Sequence, residues 1–343
     1  MSEAKPLLAP SAFVRLALRL AVACLLLALV FNMALPESDV GVVAAVMAAW
    51  QTSFTEAASW FLLSFSLFGI SFAIGASRFA TLLAGAGFDV RWPMLFRAYL
   101  VAGFFNLVLP GAILGDVYRL WDVRQEAGEG SRALGIIAVE RLLGLSALGC
   151  LGVVAAPFLP LAAEDRYLGT VLMAICGLIA LTTAFALHPR ANGWMRKVAA
   201  LTKPISERVA GAIDGALLAA VELTTQPRVL VRAFLLSLAN QGLPVAAVFC
   251  LSVPLAGEVA WYWFAIIVPF VTLVSLVPIS IGGTGVREYL YVTLFGAVGM
   301  PRDAALALSL SLLGTAIVWA IVGFAIFTID RRRGTARPEP VAS

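Results

Sequence analysis

Hydrophobic positions in this chain come in long unbroken runs, not in the two-residue alternation of a strand, and each run approaches the length of a bilayer crossing. About 20 consecutive apolar residues carry a helix across a ~30 Å hydrocarbon core. Such runs cover Phe13 to Phe31, Ala58 to Ser77 (where Arg78 stops the run), and approximately 133–156, 168–187, 230–252 and 303–328. Each is predicted to be a full span. Lys5, Arg15 and Arg19 accompany the first run and no convincing small-x-small cleavage site follows it, so it reads as an uncleaved span and not as a signal peptide.

Two further apolar segments are too short to cross. Residues 94–109 and 262–277 each extend only about 24 Å as helix. The first runs into Leu109-Pro110-Gly111-Ala112-Ile113-Leu114-Gly115-Asp116 and the second into Pro278-Ile279-Ser280-Ile281-Gly282-Gly283-Thr284-Gly285, where helix cannot continue comfortably. Broken backbone at membrane depth is tolerated only where protein buries it or a watery cavity receives it, so both are predicted to be re-entrant hairpins. Pro110, Gly115 and Arg119 have the same spacing as Pro278, Gly283 and Arg287, and a charged junction leads into a long span in both copies. Three full spans separate the hairpins, so they enter from opposite sides and the halves are inverted. The expected fold is an all-α polytopic membrane protein with about six full spans and two re-entrant broken-helix hairpins in an inverted repeat; eight spans is the alternative. The half-repeats are about 58–187 and 230–330 within a membrane domain 1–330, joined by 188–229 and followed by a disordered basic tail, 331–343.

Composition removes the soluble classes. Of 343 residues 61% are hydrophobic and 13% charged, where soluble domains carry about 25% charge. Basic residues then orient the spans. Residues 33–57 hold no Lys or Arg, whereas Arg190, Arg196, Lys197, Lys203, Arg208, Arg228 and Arg232 crowd one stretch and Arg331, Arg332, Arg333 and Arg337 close the chain. Basic loops remain in the cytoplasm, so both termini and the joining stretch are expected there. Its spacing also permits amphipathic helices on anionic lipid. The net charge of +4 is thereby a matter of topology, and no nucleic acid partner is expected. Cys24, Cys150, Cys176 and Cys250 sit singly in apolar runs, and His188 is the sole histidine; neither a metal nor a disulfide is expected.

Charges at membrane depth cost roughly 2.5–3.5 kcal/mol each on an insertion scale and are functional candidates. Glu140 and Arg141 lie about 12–14 Å into their span. Adjacent helical residues point about 100° apart, so each needs a partner elsewhere, from a hairpin. Asp116 and Arg119 follow the first break, and Arg287 and Glu288 the second. A half-helix starting at Gly111–Gly115 or Gly283–Gly285 aims free N–H groups inward, and an arginine one or two turns later adds a forked donor for phosphate. The candidates for headgroup binding are Asn106, Gly111, Gly115, Arg119, Gly283, Gly285 and Arg287. Those for a coupling network are Asp116, Glu140, Arg141 and Glu288. Asn240 and Gln241 are further polar groups at depth. No nucleophile–base pair or metal cluster emerges, so neither catalysis nor a cofactor is expected.

At Ser77-Arg78-Phe79, Phe105-Asn106-Leu107-Val108-Leu109-Pro110-Gly111 with Gly115-Asp116 and Arg119, Val139-Glu140-Arg141-Leu142-Leu143, and Pro278 through Gly285 to Arg287-Glu288, the chain resembles the transmembrane (flippase-like) domain family of lysylphosphatidylglycerol synthases and their stand-alone relatives. The likeness spans about 10–330. Leu114, where relatives often carry glycine, and Phe79, where they often have tryptophan, depart from the pattern. The resemblance implies a lipid translocase in the bacterial inner membrane, moving a phospholipid, glycolipid or isoprenoid-related lipid, with anionic or phosphate-bearing lipids as partners. The bifunctional synthases carry a soluble aminoacyl-transferring domain that is not found before Ser343, so lysine transfer is not expected. A permease for a small soluble anion is the alternative, or a non-catalytic scaffold for envelope lipid synthesis. A homodimer or an envelope-synthesis enzyme is a further possible partner.

Overall fold

The computed structural model describes residues 54–108, 114–127, 130–158, 166–186, 218–219, 221–256, 259–276 and 285–332. The first predicted span, Cys24, His188, most of the joining segment and the tail from 333 lie outside them. The described residues form α1 (Phe54–Gly85), α2 (Trp92–Val108), α3 (Leu114–Ala127), α4 (Gly130–Val154), a 3-10 turn at Ala156–Phe158, α5 (Arg166–Ala186), α6 (Pro227–Ala256), α7 (Trp261–Ser275), α8 (Val286–Ala297) and α9 (Arg302–Arg332). Within them Ala58–Gly85, Gly130–Val154, Pro227–Leu255 and Arg302–Arg331 are long and apolar enough to cross a membrane. This is an all-α polytopic membrane protein.

Sequence and structure differ on α1. Arg78 does not end the span: the helix continues unbroken to Gly85, with Arg78 only 7% exposed inside it. A buried arginine needs no helix end when carboxylate and hydroxyl partners meet it within the bundle, as described below.

Two four-helix units follow one plan, long, short, short, long. The lengths are 32, 17, 14 and 25 residues in α1–α4 and 30, 15, 12 and 31 in α6–α9. In each unit consecutive helices pack together and the first packs on the fourth; between units α1 packs on α6, α2 on α9, and α7 on α4. The equivalent helices α1 and α6 run antiparallel, since Gly85 lies against Val229, Gly75 against Asn240, and Arg78 bonds Ser237 between them. Antiparallel equivalents are the mark of an inverted repeat. α5 packs on α4 and α7.

The short helices form hairpins that turn back at mid-depth. Asn106 near the end of α2 meets Gly115 at the start of α3, while Tyr99 lies under Arg119 further back. At the other end of α3, Arg124 lies beside Gly130, the first residue of α4. Asp116 bonds Arg141, so the start of α3 sits eleven residues into α4, about 16 Å along it. That is about half the ~30 Å of a crossing, the reach of a re-entrant limb. In the second unit the Phe264 and Phe295 rings meet at a tilt, Arg302 lies beside Gly296, and Glu288 meets Ser309 within α9. The first hairpin opens on the face where α1 ends and α4, α6 begin, which carries Arg91, Arg124, Arg132, Arg228, Arg232 and Arg331. The second opens on the opposite face, beside the edge-to-face pair Phe158 and Trp261.

Most of the outer surface is apolar, with Leu62, Leu178, Leu181 and Ile321 each more than 60% exposed, as expected where lipid replaces water. α4 is the central helix: 61% of its most apolar window is buried, against 17–28% for α1, α6 and α9. Gly149 makes this possible on its α5 side, because a Cβ there would lie 2.4 Å from the Cys176 carbonyl oxygen. Gly149→Leu is expected to lower stability by about 1–3 kcal/mol, read as a fall in the melting temperature of the purified protein in detergent. Gly314→Ala, where no atom lies within 4 Å of the added carbon, is expected to leave it unchanged or slightly raised.

Candidate functional site

Glu140, midway along the central helix and 1% exposed, gathers the polar groups of the first unit. Arg78 of α1 donates to its Oε1 from Nη2 at 2.6 Å and from Nε at 3.2 Å, and Arg119 of α3 donates from Nη1 to Oε2 at 2.8 Å. The Tyr99 hydroxyl of α2 also donates to Oε1. Arg78 reaches across to the Ser237 hydroxyl of α6 at 3.2 Å. Arg119 pairs in addition with Asp116, whose other oxygen accepts from Arg141. The Arg119 guanidinium lies over the rings of Tyr99 at 4.5 Å and Phe79 at 5.2 Å. Four helices thus meet at one carboxylate, and Arg78 ties in a fifth, α6.

The second unit is built differently at the equivalent junction. Arg287 and Glu288 close on each other, Nη2 to Oε1 at 2.7 Å, and neither bonds Arg119 or Glu140. Glu288, 0% exposed, accepts from the Gly285 N–H at 2.5 Å and from Ser309 at 3.4 Å. Gly285 has φ 86°, a left-handed conformation that suits glycine. Beside Arg287 lies a cavity of about 280 Å³ enclosed by α1, α4, α6, α7, α8 and α9. Its polar lining is Gln241, Thr272, Ser275 and Arg287, with Phe68 and Tyr291 among apolar walls. The Ser275 hydroxyl is buried without a hydrogen-bond partner.

Both half-helix starts are capped from within the protein. Gly115 N–H donates to Asn106 Oδ1 at 3.0 Å, and Gly285 N–H to Glu288. Asn106 and Glu288 therefore act here as caps, and Gly115 permits the close approach, since a Cβ would meet Ala102 O at 2.7 Å. Of the candidates read from sequence, Asp116, Arg119, Glu140 and Arg141 come together in one cluster, Arg287 and Glu288 in another, and Gly111 and Gly283 lie outside the described residues. Sequence reasoning missed Arg78 and Tyr99. The signal for Arg78 was present: the apolar run resumes directly after it, as it does around Glu140 and Arg141.

Removing one partner from a buried ion pair leaves an uncompensated charge and costs about 3–5 kcal/mol. Glu140→Ala, which strands Arg78 and leaves Arg119 with Asp116 alone, is expected to abolish a monodisperse peak in size-exclusion chromatography, and adding Arg78→Met is expected to restore part of it. Arg97→Ala breaks only a pair with Asp330 in which Arg97 is 48% exposed, so a loss of about 0–1 kcal/mol is expected by the same readout.

Comparison with known proteins places this geometry in a family. No curated protein matches the chain. A family model described as the lysylphosphatidylglycerol synthase TM region matches residues 16–329, covering all the helices described above except the last three residues of α9. The chain belongs to the lysylphosphatidylglycerol synthase transmembrane-region family.

Proposed function

We propose that this protein is a flippase-like transporter that carries a lipid between the leaflets of the bacterial inner membrane, with the arginine-rich face and both termini in the cytoplasm. The observation that carries the reading is the cavity at the end of the second hairpin, where one partly exposed arginine meets an otherwise largely apolar enclosure at membrane depth. An apolar wall with a few placed polar groups is the general form of a small-ligand site. Arg287 has 15% of its side chain exposed, and its Nη1 is outside the bonds to Glu288. It is the better headgroup contact. Arg119, at 6% exposure and bonded to two carboxylates, serves as structural glue in this conformation.

A lipid also suits the surroundings better than a soluble anion does. The cavity is bordered by Phe68 of α1 and Leu312 and Ala316 of α9. Nearby residues on the same helices, Leu62, Ile70, Ile317 and Ile321, are exposed and apolar, so a headgroup inside leaves its chains in lipid. Two inverted units with broken helices supply the means to present such a site to either leaflet in turn. The chemistry is that of a carrier and not of an enzyme.

Reconstitution into vesicles tests this. Transfer of a fluorescent anionic phospholipid between leaflets is expected to be accelerated by the protein and to fall about tenfold or more with Arg287→Ala, the scale of a lost charged hydrogen bond at 1.5–3 kcal/mol. Undiminished transfer by a well-folded Arg287→Ala protein overturns the assignment of the site.

A further inference from the structure

The ionic cluster of the first unit and the cavity of the second adjoin at one glycine. Gly144 is buried on α4, one turn beyond Glu140. A Cβ added there would meet Arg78 Nη1 and Gln241 Nε2, each at 3.5 Å. Arg78 belongs to the cluster, through Glu140 and Ser237, and Gln241 lines the cavity. The two nitrogens are therefore separated by no more than twice that distance, a gap that one or two oxygens bridge at about 3 Å per hydrogen bond. Ser237 and Gln241 are one turn apart on α6 and share a face, as Glu140 and Gly144 do on α4.

Packing does not require glycine at this point. At Gly115, Gly149 and Gly323 a Cβ would meet a backbone carbonyl oxygen well inside contact distance, so a side chain there would push elements apart. At Gly144 both contacts are at ordinary van der Waals distance and both are with side-chain ends, while alanine would favour the helix. What the missing side chain leaves is a bare strip of α4 flanked by a donor from α1 and a donor from α6. A headgroup held at Arg287 and bound for the face where the first hairpin opens has to leave the cavity toward the cluster. Along α4 that route runs from Leu148, which lines the cavity, to Gly144 and on to Glu140, in steps of one turn. Here it is closed, with Arg78 held by Glu140 and Ser237.

We propose that Gly144 is the gate of the carrier, the point at which a phosphate-bearing headgroup passes from the cavity to the ionic cluster, handed from Gln241 to Arg78 as α6 moves from α4. This rests on the transport reading above and adds its route. Free phosphate offers the same oxygens as a lipid headgroup, so the test includes it.

Vesicles carrying Gly144→Ala or Gly144→Val are compared with the wild type for transfer of chain-labelled phosphatidic acid and of the larger phosphatidylglycerol, while native mass spectrometry reads how much of each lipid stays bound. Gly144→Ala is expected to leave the melting temperature unchanged or slightly raised and bound lipid within a few-fold, yet to slow transfer. Gly144→Val is expected to slow it about tenfold or more, and both variants to slow phosphatidylglycerol more than phosphatidic acid. Gly314→Ala, an equal change with open space around it, is expected to transfer as the wild type does. Should Gly144→Val fail to fold, Gln241→Leu removes the donor from the other side of the gate at similar volume; it is expected to slow transfer about tenfold, with lipid still bound at Arg287. Wild-type rates in the folded variants, or an equal loss for the two headgroups in those at Gly144, overturn the gate and leave transport standing. Wild-type vesicles that take up radiolabelled inorganic phosphate without transferring lipid, or that move neither, overturn the transport reading itself.

Discussion

The bundle hangs on a single carboxylate. Glu140 sits on the helix most surrounded by protein and accepts from Arg78, Arg119 and Tyr99, which reach it from a span and from both limbs of a hairpin. Each of these groups would be intolerable facing hydrocarbon. Together they satisfy one another, and the satisfaction requires all their helices to be present. Asp116 carries the chain on to Arg141, so the buried end of α3 is tied to α4 at two places. A re-entrant hairpin has no aqueous anchor at its tip. Here ionic bonds at depth, an asparagine cap and aromatic faces over Arg119 do the anchoring.

The same architectural plan is completed differently in the two units. In the first, the junction of long helices and hairpin is filled with charge. In the second, the corresponding helices α6, α7, α8 and α9, with α1 and α4 from across the interface, leave a cavity. Glu288 has been drawn inward to cap its own helix, leaving Arg287 at the wall. Repetition of backbone therefore does not carry repetition of chemistry. One junction holds the molecule together and the other holds space.

Four of the six predicted spans return as membrane-length apolar helices, because hydropathy at the scale of a bilayer is a long-range signal that few side chains can override. The re-entrant hairpins were legible for a related reason: 94–109 and 262–277 are too short, and each ends in proline and glycine. What escaped was pairing. Arg78 reads as a stop until the apolar residues beyond it are given weight, since a lone arginine in a run looks the same whether its partner is water or Glu140. Tyr99 is unremarkable in an aromatic helix. Asn106 and Glu288 look like ligand contacts at a break, and the helix ends they satisfy become visible only once the chain is folded back. Periodicity records which residues avoid water; it does not record which remote group each polar residue meets.

Among the described residues α5 packs on α4 and α7, beside the plan that the two units share. A transporter with perfectly matched halves would have two facings of equal energy, and its resting state would be split evenly between the leaflets. With buried ionic bonds between helices filling one junction and a cavity in the other, the two facings of the proposed carrier are not degenerate. Their free-energy difference fixes the resting population before any ligand binds, and a ligand moves that balance only by its own difference in affinity for the two. For the carrier proposed above, the imbalance between the two junctions is thus a built-in bias on which leaflet the empty protein addresses.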